Sequence, residues 1–81
     1  DKIIAKWAGT GQEAKALRIA KCESGFNPNS RNRNSTAYGL FQFLNGTWRS
    51  TGIAKTSDPD LQIEAAFRLW KQRGWQPWVC R

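Results

Sequence analysis

The placement of two cysteines constrains this chain more than any other feature: Cys22 lies in the first third and Cys80 is the penultimate of 81 residues. A bond between them would tie the C-terminal tail back to the first third, and every element in between would have to fit inside that closure. In the entropy model, closing a loop of this size is worth on the order of 4 kcal/mol, a large share of a small domain's stability. The alternative is two free buried thiols in a reducing compartment. An even cysteine count in a short cationic chain suits the oxidised pair and a secreted, envelope or virion-associated setting.

A length of 81 residues allows one domain, expected over 1–81, and is too short for a two-domain enzyme or a doubly wound nucleotide fold. The chain has no histidine, which excludes a triad or dyad with an imidazole base, and no metal or other cofactor is expected. Catalysis would have to run on carboxylates. Asp1, Glu13, Glu23, Asp58, Asp60 and Glu64 are the full set, against 13 Lys and Arg, for a net charge of +7. That balance suits a nucleic acid, an anionic membrane face or an anionic cell wall, or simply a solvated face. No basic run reaches the length of a binding tail, and no apolar stretch approaches the roughly twenty residues of a membrane span. The opening DKIIAKW lacks a signal-peptide layout, as expected of an excised mature domain.

Glycine and asparagine punctuate a largely helical pattern. A short helix is expected over 2–8, ended by Gly9 and Gly11. Thr10 and Glu13 have the spacing of a capping box for a second helix over about 11–24, with Ala16, Leu17, Ile19 and Ala20 inward and Gly25 then Pro28 as the stop. The polar run 27–36 reads as a surface loop. Residues 37–43, AYGLFQF, alternate weakly and predict a short strand or hairpin arm, with Tyr38, Leu40 and Gln42 on one side and Gly39, Phe41 and Phe43 on the other. Asn45 or Thr47 would cap a short helix carrying Trp48 and closed by Gly52. The clearest element starts at Asp58 and Pro59 and ends at Gly74, with Ile63, Ala66, Phe67 and Trp70 as its apolar stripe.

One carboxylate is out of place. Glu23 follows Ala16, Ile19 and Ala20 by seven, four and three residues, which puts it on the apolar face of the second helix, near the C-terminus. Burial and the negative end of the helix dipole both disfavour its ionised form and raise its pKa. A carboxylic acid held protonated beside aromatics suits general-acid attack on a glycosidic oxygen. The bland alternative is a glutamate paired with Arg18, Lys21 or another cation. The other acids have ordinary tasks: Glu13 in the capping box, Asp58 and Asp60 at a helix start, Glu64 one turn from Arg68, and Asp1 at the terminus. Ordinary glycosidases use two carboxylates, so one candidate points to a substrate that supplies its own nucleophile. A contribution from Asp58 or Asp60 stays open.

The runs Ala20–Gly25, Tyr38–Phe43 and Gly46–Trp48, then Gln62-Ile63, Gly74-Trp75, Trp78 and Cys80, resemble the lysozyme-like lytic transglycosylases. The terminal half looks closest to the resuscitation-promoting-factor catalytic domains. Glu23–Pro28 and the Gly-Leu-Phe-Gln run look more like the soluble lytic transglycosylase and goose-type lysozyme branch. Gln62 stands where that branch usually has asparagine, and Phe41 where methionine is common. The resemblance implies a mainly α, lysozyme-like α+β domain with at most a short β-hairpin and one disulfide.

It further implies peptidoglycan glycan strands as the substrate, cut between N-acetylmuramic acid and N-acetylglucosamine. Glu23 would protonate the glycosidic oxygen and then take the proton from the muramic C6 hydroxyl, leaving a 1,6-anhydro end. Ser24 would support Glu23 or the N-acetyl region, Gln42 would contact the glycan, and Tyr38 and Thr47 would line the groove, with Gln62 nearby. Of the five tryptophans, which mostly suit core or groove wall, Trp75 and Trp78 are the sugar-platform candidates, since a Cys22–Cys80 bond brings them close to Glu23. A monomer at the cell envelope or outside the cell, of bacterial or phage origin, is expected. A glycan-binding module without catalysis and a basic nucleic-acid-binding domain are the rival readings; the second has no recognisable motif behind it.

Overall fold

Four helices form among the described residues, α1 (Lys2–Lys6), α2 (Glu13–Ser24), α3 (Asn45–Thr51) and α4 (Pro59–Arg73); side chains cap the starts of α1 and α4, and left-handed glycines close α2 and α3. The computed structural model describes residues 1–80, so the last residue of the expected 1–81 unit lies outside the described residues. Apart from isolated bridges, the described residues form no strand. The fold is small, mainly helical and closed by the Cys22–Cys80 disulfide, whose Cα atoms are 6.0 Å apart.

Asp58 caps α4 by accepting from the Asp60 amide, with Pro59 in the first turn and Gly74 beyond the last. The buried stripe of α4 differs from the expected one. It runs through Gln62, Ala65, Ala66 and Leu69 together with Ile63, while Phe67 and Trp70 are only partly buried against the core. A polar residue, Gln62, leads this face because its amide is hydrogen-bonded to Pro28, Leu40 and Thr56 of the neighbouring loops.

The other boundaries shift by a few residues for local reasons. Helix α1 stops at Lys6 rather than Ala8, and Asp1 caps it by accepting from Ile3 and Ile4. Helix α2 starts after Gln12, and Thr10 is not its cap residue. Thr10 Oγ1 accepts from the Gln12 amide and Glu13 accepts from the Gly9 amide, a reciprocal arrangement in the turn before the helix. Neither Asn45 nor Thr47 caps α3; Leu44 holds the cap position, and the Asn45 amide donates to Thr36 Oγ1 across the loop.

Residues 37–43 make a tight loop in place of the expected strand. Tyr38 and Phe43 exchange both backbone hydrogen bonds, and between them Gly39 and Gln42 take positive φ values of 92° and 55°. These left-handed turns break the alternation, so Tyr38, Leu40, Phe41 and Phe43 are all buried. Gly39 is also required by close approach, since a Cβ there would lie 2.7 Å from Gln62 Nε2.

Helix α1 packs on α2 and α4, and α3 packs on α4. At their meeting point Trp7 is 0% exposed, its ring within 5.3–6.1 Å of Phe41, Phe67, Trp70 and Trp75. Trp78 continues the aromatic chain to Trp75, Phe41 and Phe43, and Phe43 passes it on to Trp48 in α3. Such edge and offset contacts add about 0.5–1.5 kcal/mol per pair beyond burial. The C-terminal tail is therefore part of the core, anchored by Trp78 and stapled by Cys80 to the end of α2.

Candidate active site

Glu23 is the penultimate residue of α2, and the buried face of that helix is Ala16, Ile19 and Ala20. Its carboxylate is half-buried, and burial raises its pKa above the ordinary glutamate value. A hydrogen bond from the Cys80 amide to Oε2, at 3.3 Å, works in the opposite direction and is the lesser influence. Among the described residues no cation lies within salt-bridge distance of Glu23, so neither Arg18 nor Lys21 neutralises it.

The remaining acids are engaged elsewhere. Asp1 and Asp58 cap helices, and Glu13 closes the turn before α2. Asp60 pairs with Lys2 at 2.8 Å, and Glu64 bridges Lys6 and Arg68. Those two cations hold the Glu64 carboxyl below the usual range, with Lys6 the larger influence. Asp58 and Asp60 stay out of the cleft that Glu23 enters.

That cleft has a volume of about 380 Å³ and lies between the end of α2, the 37–44 loop, Thr47 of α3 and the C-terminal tail. Thr47, Gln42 and Trp78 line it together with Glu23. Gln42 is held rigidly: its Nε2 donates to the carbonyls of Ser30 and Gly39, which leaves its side-chain oxygen as the acceptor. Trp78 lines the cleft although the residue is only 2% exposed.

Ser24, Tyr38, Gln62 and Trp75 are not brought to the cleft wall. Ser24 Oγ is shared between the carbonyls of Ala20, at 3.1 Å, and Leu40, at 2.8 Å, tying the end of α2 to the 37–44 loop. Gln62 is 1% exposed; its Nε2 donates to the carbonyls of Pro28 and Thr56 and its Oε1 accepts from Leu40. Trp75 stacks on Trp7 and donates its indole N–H to Gln12. Tyr38 donates its hydroxyl to Asn29 and floors an adjoining basin. The cleft also takes in Asn32, Phe41, Phe43, Leu44, Pro77 and Val79, of which Leu44 and Val79 stand exposed. Sequence reasoning did not single these out as lining residues; the only signal was the position of Val79 beside Cys80 and of the two phenylalanines within the family-like run.

Fold and cleft together define a class of protein: a disulfide-closed helical domain with one carboxyl set apart, without a cation partner among the described residues, in an open cleft walled by aromatics. The chain matches the family described as transglycosylase-like domain over residues 9–81, and it belongs to that family. It is also similar to probable transglycosylase SceD 2 of Staphylococcus saprophyticus, with 36% identity over 77 aligned positions covering 86% of this chain. The chain spans 31% of the length of that curated relative. No solved structure matches it. The transglycosylase resemblance carried by the motifs is thus shown.

Proposed function

We propose that the domain is a peptidoglycan lytic transglycosylase or muramidase that cuts the β-1,4 bond between N-acetylmuramic acid and N-acetylglucosamine with Glu23 as its single acid. The observation that carries this reading is the contrast between Glu23, half-buried and unpaired among the described residues, and five other acids already engaged in caps and ion pairs. Family membership supports it at the coarser level of a transglycosylase.

In this mechanism the Glu23 carboxyl gives its proton to the glycosidic oxygen as the C1–O bond breaks and positive charge develops on the muramic ring. The resulting carboxylate then takes the proton of the muramic C6 hydroxyl as that oxygen bonds to C1. Atoms balance without water, and the acid ends as it began. A second carboxylate is not needed because the substrate supplies the nucleophile. Entry of water at C1 instead gives the muramidase outcome with the same acid.

The aromatic wall of Phe41, Phe43 and Trp78 helps to desolvate the acid, which favours its protonated form, the form a general acid needs. Gln42 and Thr47 bind the glycan from the cleft wall. Ser24 and Gln62 are positioning residues, holding the 37–44 loop against α2 and α4. The substrate sets the location at the cell envelope or outside the cell, and the net charge of +7 favours a wall rich in carboxylates and phosphates.

Glu23→Gln keeps the shape and the contact with Cys80 while removing the transferable proton. It is expected to fold and to release soluble fragments from purified peptidoglycan at least about 10²-fold more slowly. Mass spectrometry of the wild-type products reports 1,6-anhydro ends for transglycosylation and reducing ends for hydrolysis. Lysis retained by folded Glu23→Gln overturns the role of Glu23, and a wild-type domain that binds wall without releasing fragments is a binding module.

A further inference from the structure

Beside the Glu23 cleft lies a second concavity of about 380 Å³, lined by Arg31, Tyr38, Lys55, Ser35, Thr36 and Thr56 among others. Asn32 and Ala37 line both, so the two hollows adjoin across that pair. The basin is cationic: Arg31 and Lys55 lie 5.4 and 5.3 Å from the centre of the Tyr38 ring, and among the described residues neither has a carboxylate partner. We propose that this basin is an anion subsite that takes a peptide carboxylate carried by the glycan while the sugar chain occupies the Glu23 cleft. The proposal rests on the glycan-cleaving reading above and specifies the substituent that the site selects.

Three features make the basin more than a charged surface. Tyr38 is a fixed floor, buried, bonded through its backbone to Phe43 and through its hydroxyl to Asn29. Cations resting on that ring have already lost part of the rotamer freedom that immobilisation on binding would cost. Lys55 Nζ donates to Asn45 Oδ1 at 3.1 Å and reaches the Thr36 carbonyl at 3.4 Å, and an ammonium has three protons, so one is left for a ligand. A guanidinium stacked on an aromatic still offers its N–H edge to a carboxylate.

A carboxylate is favoured over a phosphodiester by position: the basin adjoins the cleft where a muramic residue, which bears the peptide, would sit. The test uses the 81-residue chain carrying Glu23→Gln, so that ligands are not consumed. Its affinity is measured for a muropeptide oligomer, for an N-acetylglucosamine oligomer that lacks both the peptide and the muramic lactyl carboxylate, and for the muropeptide oligomer with its peptide carboxylates amidated. Adding R31Q and K55Q is expected to weaken the muropeptide about ten-fold and to leave the two ligands without a free carboxylate within about two-fold. The swap R31K with K55R restores binding, and removing Arg18 and Arg73 instead has no such effect. Equal weakening of all three ligands, or of none, overturns the subsite.

Titration of the wild-type chain with acetate and with inorganic phosphate, read on the Tyr38 ring resonances, decides the matter if the double variant does not fold. An acetate response that saturates supports the proposal, and a response to phosphate alone overturns it in favour of a phosphodiester. If no glycan binds at all, the glycan-cleaving reading fails, while the acetate titration still reports on the anion site.

Discussion

At the scale of single residues, one titration governs two measurable properties. Burial raises the pKa of Glu23 in the folded chain, so between its unfolded and folded values the native state binds the extra proton and stability falls as pH rises. The Cys80 amide offsets part of this penalty, and the exposed half of the carboxyl is screened by solvent. Glu23→Gln is therefore expected to melt slightly higher than wild type at neutral pH, with the gap closing below the ordinary carboxyl range. As the proposed general acid, the same group must be protonated, so the rate falls as pH rises through its folded pKa. The alkaline limb of the kcat/KM profile is expected above the ordinary glutamate range of about 4.3. A limb at the ordinary value, or equal melting of variant and wild type at every pH, counts against a half-buried Glu23.

At the scale of elements, Gln62 shows what a sequence displays and what it conceals. Its three hydrogen bonds join α4 to Pro28, Leu40 and Thr56, so Gln62→Ala strands the buried Leu40 amide at about 1–3 kcal/mol and the part-buried Pro28 and Thr56 carbonyls at less, where water reaches them. A net loss of about 2–4 kcal/mol is expected in chemical denaturation, and a loss below about 1 kcal/mol contradicts the buried tie. Helices α2 and α4 were legible because their punctuation is chemical and local: Asp58, Pro59 and Gly74 at the ends of one, Gly25 after the other. The unusual position of Glu23 was legible for the same reason, since helical spacing alone sets it beside Ala16, Ile19 and Ala20. The 37–43 segment was not legible. Its shape depends on a left-handed turn at Gln42, which a glutamine does not advertise, and on Gly39 meeting Gln62 from a distant helix. Nor could spacing tell Trp78, which reaches the cleft, from Trp75, which donates to Gln12 behind it.

At the scale of the whole molecule, the cysteine bond connects stability to the site. The indoles of Trp7, Trp48 and Trp78 are buried without a hydrogen-bond acceptor among the described residues, so the aromatic core forgoes part of its polar satisfaction. In a chain of 81 residues such losses are offset by closure, and the Cys22–Cys80 loop of 58 residues is worth about 4 kcal/mol in the entropy model. Reduction, or the pair Cys22→Ser and Cys80→Ser, is expected to lower Tm by about 15 °C or more. A second consequence appears below the melting point. Pro77, Trp78 and Val79 form the tail wall of the cleft, and the amide of Cys80 is the hydrogen-bond donor to Glu23. Loosening the tail removes that wall and lets water reach the carboxyl, which returns its pKa toward the ordinary value. The reduced domain is therefore expected to lose lytic rate at temperatures where circular dichroism still reports a helical fold, and its alkaline limb should move to lower pH. If rate and melting fall together, with no change in the limb, the disulfide acts on stability alone and the tail is not what tunes Glu23.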